Sequence, residues 1–289
     1  MKISNEDKKF LALYSDSEYE KPSVTVDAVI FRILSQESEN YRKLPEKKLQ
    51  VFLNKRNFPP FKNKFSIIGT FIDLKYELTE SMKLCVKNKV DLNNYYYEQL
   101  FTFGEKSRDP RTRVLSVSYM LLTNSEENLI NGEWFDIDVK EIDSNIESLE
   151  NGYKINKTYS ILLTNEHHKI ENIIEISNTK QNLEEIKKID IAQTGLAFDH
   201  IKIIFQALER LKNKLEYTDI IFNLLPKEFT LTELKQCYEI ILNEKLLDAN
   251  FRRKTSKMVC STNKLASAKG HRTSQLFTHN PNWTLNNLD

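Results

Sequence analysis

The loop Arg108-Asp109-Pro110-Arg111-Thr112-Arg113 carries three guanidiniums within six residues. A guanidinium is planar, always charged and able to bind two phosphate oxygens at once, so the loop suits a phosphorylated small molecule. Arg56 is a further candidate for the same pocket. The competing reading is structural: Asp109 pairs with one arginine and the loop holds only its own shape. A second cluster lies near the end of the chain, where Asn250, Arg253, Lys254 and Lys257 recur at helical spacing with Arg252 beside them. On a helix these positions share a face. Lysine and arginine neutralise phosphates or read guanine, and asparagine reads adenine, so such a face suits the major groove of duplex DNA. Lys264, Lys269, His271 and Arg272 add a basic turn, and residues 252–288 hold seven Lys or Arg and no Asp or Glu. A solvated basic surface is the bland alternative. Other constellations are weaker. His167 and His168 adjoin on an expected hairpin tip, where neighbouring side chains diverge, and Cys85, Cys237 and Cys260 have no ligand spacing. No metal site and no cofactor are expected.

These residues need elements to hold them. The run KPSVTVDAVIFRI (residues 21–33) is dense in β-branched and aromatic residues, the mark of a central strand, and LQVFLNK (49–55) reads as its return. Between them the charged stretch 35–48 reads as a loop inserted in a hairpin. Asn57-Phe58-Pro59-Pro60 stops the second strand. Leu78, Met82 and Val86, with Cys85, recur at helical spacing. Residues 95–113 enter a strand and then the polar arginine loop, VLSVSYMLL (114–122) is a further strand, and residues 133–139 begin another. Residues 158–164 and 170–176 read as a hairpin, and a helix is expected near residues 182–188. The second half is helical. Ile201, Ile204, Phe205, Leu208, Leu211 and Leu215 form one apolar stripe, with Asp199 early and Lys212 and Lys214 late, as the helix dipole prefers. Thr230-Leu231-Thr232-Glu233 is a capping box opening the next helix. After a turn, Asp248 is the expected N-cap of a helix over 249–258, docked through Phe251, Thr255 and Met258.

With 289 residues and 40% hydrophobic content, the chain is long enough for two domains. The formal net charge of +1 excludes nothing; its distribution is what informs. Scattered cysteines point to a reducing compartment. The start MKISNEDKKFLALY has no apolar signal core and no stretch approaches membrane-spanning length, so a cytoplasmic protein without membrane contact is expected.

Residues 65–92, FSIIGTFIDLKYELTESMKLCVKNKVDL, resemble a Nudix box, G-x5-E-x7-R-E-U-x-E-E-x-G-U, where U is a bulky aliphatic. The glutamates of such a box hold Mg2+ against a diphosphate from one helical face. Here, with Thr70 in the second glycine slot of a W-x-L-P-G-G-F-like run, Tyr76 takes the first glutamate slot and Leu84 the arginine. Cys85, Asn88 and Lys89 occupy the other glutamate slots, and only Val86 and Leu92 keep the aliphatic ones. Sliding the register by one recovers Glu77 but not the cluster, so these helix residues read as core, with Glu77 and Glu80 solvated. Four collinear segments, KPSVTVDAVIF, NFPPFKNKFSIIGTFID, YEQLFTFGEKSRDPRTRVLSVSY and LAFDH, are similar to Nudix-related transcriptional regulators and their ADP-ribose pyrophosphatase relatives. Phe229-Thr230-Leu231-Thr232-Glu233-Leu234 and Asn250-Phe251-Arg252-Arg253-Lys254 resemble the regulators' F-T-L-x-E-L and N-F-R-R-K runs. Stretches 35–48 and 140–190 fit poorly.

The resemblance implies an α+β protein. An N-terminal Nudix-like α/β/α sandwich would span 1–195, a connecting helix 196–218, and a C-terminal winged helix-turn-helix 219–289. It implies a transcriptional repressor acting as a homodimer on palindromic operator DNA, in which a catalytically inactive Nudix domain senses an effector. That effector would be ADP-ribose-like or a sugar, since relatives are associated with NAD metabolism or with sugars such as arabinose. In the family the RDPR segment lies beside the nucleotide-sugar pocket, making Arg56, Arg108, Arg111 and Arg113 the expected effector-binding residues. Asn250, Arg252, Arg253, Lys254, Lys257, Lys269 and Arg272 would bind DNA, and no residue would be catalytic. The alternative is a Nudix hydrolase acting on ADP-ribose or a related nucleoside diphosphate derivative, against which the missing glutamates argue.

Overall fold

A short helix, α1 (Asn5–Leu13), opens on a capping box in which Ser4 and Asp7 satisfy each other's backbone. Strands β1 (Ser23–Gln36) and β2 (Glu46–Lys55) then form an antiparallel hairpin. The computed structural model describes residues 3–15, 17, 19–36, 45–125, 129–266 and 273–283. Both strands run into the stretch expected to be loop, because Leu34 to Gln36 continue the pairing opposite Glu46 to Lys48. The remainder of that stretch, 37–44, lies outside the described residues. Next come β3 (Phe65–Ser66), β4 (Ile68–Phe71), the box helix α2 (Leu78–Val90), β5 (Tyr96–Phe103) and β6 (Val114–Leu122). Strand β6 lies parallel to β1, which places β1 in the middle of the sheet.

Residues 26–32 of β1 are all buried, the pattern of a strand covered on both faces. Alternation sorts them. Val26, Ala28 and Ile30 pack with Met82, Val86 and Val90 of α2, while Val29 and Phe31 face the opposite core. That opposite core receives helix α3 (His200–Lys214) through Ile201, Ile204, Phe205 and Leu208, completing the three-layer sandwich.

Between them the poorly fitting stretch forms a long antiparallel meander: β7 (Glu133–Leu149), β8 (Gly152–Thr164), β9 (Lys169–Gln181) and β10 (Glu184–Thr194). The helix expected near 182–188 is therefore a strand. Asn182 and Leu183 both adopt positive φ, 50° and 68°, and turn the chain tightly, after which β9 templates β10. Ile189 and Ile191 then alternate toward the core, a period of two that the helical reading overlooked.

Helix α3 (His200–Lys214) leads through a 3-10 turn (Ile220–Leu224) to β11 (Phe229–Thr230), α4 (Leu231–Leu242) and α5 (Asp248–Thr255). The Thr230–Glu233 capping box forms as expected. Asp248 does not cap α5: the N-cap is Leu247, and Asp248 instead pairs with Lys235 of α4. Strands β12 (Val259–Ala266) and β13 (Ser274–His279) form a hairpin that β11 extends to three strands, the wing beside the two helices. Leu234, Tyr238 and Phe251 belong to the same apolar core as α3 and β2. Gln236 also donates to the Pro45 carbonyl at 3.1 Å and Asn243 to the Val139 carbonyl at 3.0 Å. Packing is continuous across the expected boundary at residue 218.

Candidate functional site

A cleft of about 230 Å3 opens where β1, the β3–β4 strands, the end of α2 and the arginine loop converge. Its floor carries Asp27, the one carboxylate within the buried run 26–32 of β1. Ser116 and Thr25 donate hydroxyls to Asp27, and Arg108 Nη2 lies 4.0 Å away. Burial raises the Asp27 pKa, opposed by Ser116 and by the charges of Arg108 and Lys89. A Cβ at Gly69 would sit 1.8 Å from Asp27 Oδ1, so any larger residue there would displace that carboxylate.

Arg108 is buried, and its Nε and Nη2 reach the two oxygens of Asp199 at 3.0 and 2.8 Å. His200, next in the chain, accepts the Ile67 backbone N–H through Nδ1 at 3.2 Å. Burial pushes its pKa down to about 3, so the ring is neutral. Phe198 lines both this cleft and an adjoining one of about 360 Å3. Its φ of 54° is unusual for a bulky residue and marks a conformation imposed by its surroundings. Phe61 meets the Phe198 ring edge-on at 4.8 Å and the Arg56 guanidinium stacks on it at 4.8 Å. The two clefts therefore share an aromatic and cationic divider.

Of the four arginines expected to bind an effector, Arg56 and Arg108 line the cleft. Arg111 stands over the Phe71 ring at 5.3 Å, but its guanidinium forks onto Asp109 at 3.0 and 2.7 Å. Arg113 is exposed and does not line the cleft; its carbonyl accepts from Ser23 N–H at 2.9 Å. Two of the three loop guanidiniums are thus held by aspartates, Arg108 by Asp199 and Arg111 by Asp109, and the third belongs to an exposed residue outside the cleft lining. Burial, and then the charge of Arg111, lower the Arg56 pKa, and the carboxylate of Asp109 opposes the shift. Sequence reasoning missed Asp27, Phe198 and His200 as cleft residues. A lone carboxylate inside an apolar strand was the signal available for Asp27.

On α2, Cys85 is buried, Asn88 is exposed and Lys89 reaches into the cleft, its ammonium donating to the Gly69 carbonyl. Among the described residues no group of three His, Cys, Asp or Glu is placed to hold a metal ion. An ammonium on a slot that would hold a carboxylate repels a divalent cation, so these residues do not fit the Mg2+ of a Nudix box. His168 packs edge-on against Phe65 at 4.9 Å, with its ring at 84° to that of His167.

The second candidate surface is α5. Phe251 and Thr255 are buried, and Phe251 meets Tyr238 edge-on at 5.6 Å. Asn250, Arg252, Arg253 and Lys254 are consequently exposed, and Lys257 follows just past the helix. Lys254 lies over the Tyr238 ring at 5.4 Å, so its stem also covers the α4–α5 junction. Lys264, on the wing, pairs with Glu228 at 2.7 Å. Lys269 and Arg272 lie outside the described residues.

Residues 221–278 match the model of the NrtR DNA-binding winged helix domain. A relative from Acinetobacter baylyi, the "ADPR responsive transcriptional repressor NtrR", is 30% identical over 93% of this chain and 86% of its own length. The chain belongs to the NrtR family of Nudix-related transcriptional regulators. The fold agrees: a MutT/nudix family protein from Enterococcus faecalis matches with a TM-score of 0.65 and 24% identity over 95% of this chain and 93% of that one. Shewanella oneidensis NrtR, solved with a 27mer DNA, matches with a TM-score of 0.56 and 22% identity over 89% and 94%. A Nudix-like domain joined to a winged helix is therefore the architecture of this NrtR-family chain. Among its described residues no helix is long and apolar enough to cross a membrane.

Proposed function

We propose that this protein is a cytoplasmic transcriptional repressor that releases operator DNA when an ADP-ribose-like nucleotide sugar fills the cleft, and that it does not hydrolyse the effector. Residues 1–195 are the sensor, 196–218 the connecting helix and 219–289 the DNA-binding part. The observation that carries the reading is Lys89. Where a hydrolase of this fold needs a carboxylate to bring Mg2+ to a diphosphate, this cleft offers an ammonium, flanked by Arg56 and Arg108. Diphosphate charge is then met by protein cations, which bind without polarising the P–O bond through a metal. That the Acinetobacter baylyi relative is an ADPR-responsive repressor supports the same effector class.

The DNA-binding half rests on the exposed cations and amide of α5, presented by a helix-turn-helix beside a wing. Arg56, Arg108 and Arg111 are proposed effector contacts; Asn250, Arg252, Arg253, Lys254 and Lys257 are proposed DNA contacts. Action as a homodimer on a palindromic site follows from the same reading. The experiment is fluorescence anisotropy on a duplex from the gene's own upstream region, titrated with ADP-ribose, NAD and free sugars. ADP-ribose should release the DNA without AMP appearing by chromatography. Enzyme-dependent turnover with Mg2+ or Mn2+ at about 1 s-1 or above would overturn the proposal, and release by neutral sugars alone would reassign the effector.

A further inference from the structure

Strand β10 ends the large sheet, so one of its edges carries unpaired backbone groups. Exposed edges recruit other strands, and proteins guard them with charge. The charges here have a specific order: Glu184-Glu185-Ile186-Lys187-Lys188 reverses sign about Ile186. We propose that two copies of this chain join by antiparallel pairing of their β10 edges about a two-fold axis at Ile186, extending one sheet through both.

In that register each residue meets its mirror. Glu184 faces Lys188 of the second copy, Glu185 faces Lys187, and Ile186 faces Ile186. A two-fold contact repeats every pair, so four oppositely charged pairs form around an apolar centre. The unpaired state of the edge fits this occupant. Leu183 and Ile186 are 108% and 50% exposed, large apolar side chains with nothing over them in the single chain. Among the described residues Glu184 and Lys188 have no ion-pair partner, while Glu185 holds Lys180 at 3.3 Å and Asn178 at 2.9 Å on the neighbouring strand. A foreign strand would bring charges of arbitrary sign against these residues. This chain's own sequence, run antiparallel in this register, places each carboxylate opposite an ammonium, so the sign order favours a second copy over a strand of unrelated charge. The contact is independent of the effector reading, since β10 between 183 and 189 does not border the cleft.

Cross-linking separates this register from any other self-association. In a Cys260→Ser background, which removes the exposed native thiol, Ile186→Cys places two thiols on directly opposed residues about 4.5–5.5 Å apart at Cα. That is within disulfide reach. Lys188→Cys places them four residue steps apart, about 13 Å, and should not cross-link. Mild oxidation of full-length protein should therefore give a covalent dimer with Ile186→Cys and none with Lys188→Cys. Lys187→Glu/Lys188→Glu should halve the assembly mass in sedimentation, with self-affinity falling at least about tenfold. Adding Glu184→Lys and Glu185→Lys to that variant should restore self-association, because the sign order is merely inverted. Equal cross-linking at both positions, none at Ile186→Cys, or an unchanged mass after the lysine reversal would overturn the proposal.

Discussion

Arg108 and Asp199 form a buried, two-pronged ion pair, at 3.0 and 2.8 Å, between the arginine loop and the N-cap of α3. Arg108 faces the cleft, and α3 leads directly into the winged helix, so one interaction joins the proposed sensor to the proposed reader. Removing one member of a buried pair strands the other charge. Arg108→Ala should therefore destabilise the fold by about 3–5 kcal/mol in urea unfolding. Arg108→Lys should recover only part, since an ammonium cannot fork onto both oxygens. If the pair also transmits the effector signal, Asp199→Asn should bind operator DNA as wild type does yet release it less readily with ADP-ribose. Full release by the asparagine variant would confine the pair to a structural role.

Lys89 makes a second prediction, about metal. If protein cations hold the diphosphate, isothermal titration with ADP-ribose should give the same affinity in EDTA as in Mg2+. Lys89→Ala should lose a charge-assisted hydrogen bond, about 1.5–3 kcal/mol of binding. Affinity that needs Mg2+, or that survives Lys89→Ala intact, would show that the ammonium is not a ligand group.

His200 gives a pH dependence with a definite sign. Its pKa is 6.5 unfolded and about 3 in the folded chain, lowered by burial. Below about pH 6.5 the unfolded state binds the extra proton, so stability is lost as pH falls and is fully present above that value. The slope from this one group is at most about 1.4 kcal/mol per pH unit. Relative to His200→Gln, the wild type should lose about 1.6 kcal/mol between pH 6.5 and pH 5. Parallel stability curves for the two proteins would mean that the imidazole titrates alike folded and unfolded.

Much of the sheet could be read from the chain because its signals are local. The apolar runs around Val29 and Met120 specify central strands whatever surrounds them, and Thr230 and Glu233 form their box from residues three apart. Strand β10 could not be read this way: Leu183, the glutamates and the lysines favour a helix by propensity, and pairing with β9 overrides them. The cleft was legible only in part for a related reason. Asp109 pairs with one arginine of its own loop, Arg111, a contact that spacing can suggest, but the partner of Arg108 lies 91 residues away at Asp199. Lys89 stood out as a missing glutamate, and only the fold shows its ammonium turned into the cleft. Residues that meet across the sandwich leave no spacing to count.

The recognition helix separates three kinds of residue that share one short stretch. Arg253 is exposed on α5 opposite the docking side, where a guanidinium can fork onto guanine. Arg253→Ala should cost about 1–3 kcal/mol on the operator and relax base preference at one position. Lys257 follows the helix end, where the chain turns into the wing. There it is suited to phosphate, so Lys257→Ala should weaken specific and scrambled duplexes alike and reduce the salt slope by about one unit. Phe251 lies on the other side, buried against Tyr238 at 5.6 Å. Its truncation should act through folding, at about 3–5 kcal/mol, and lower DNA binding only as the folded fraction falls. Anisotropy over a salt series, paired with unfolding curves for each variant, distinguishes the three. A folded quadruple alanine variant at Asn250, Arg253, Lys254 and Lys257 that still binds operator with wild-type affinity would remove α5 from the interface altogether.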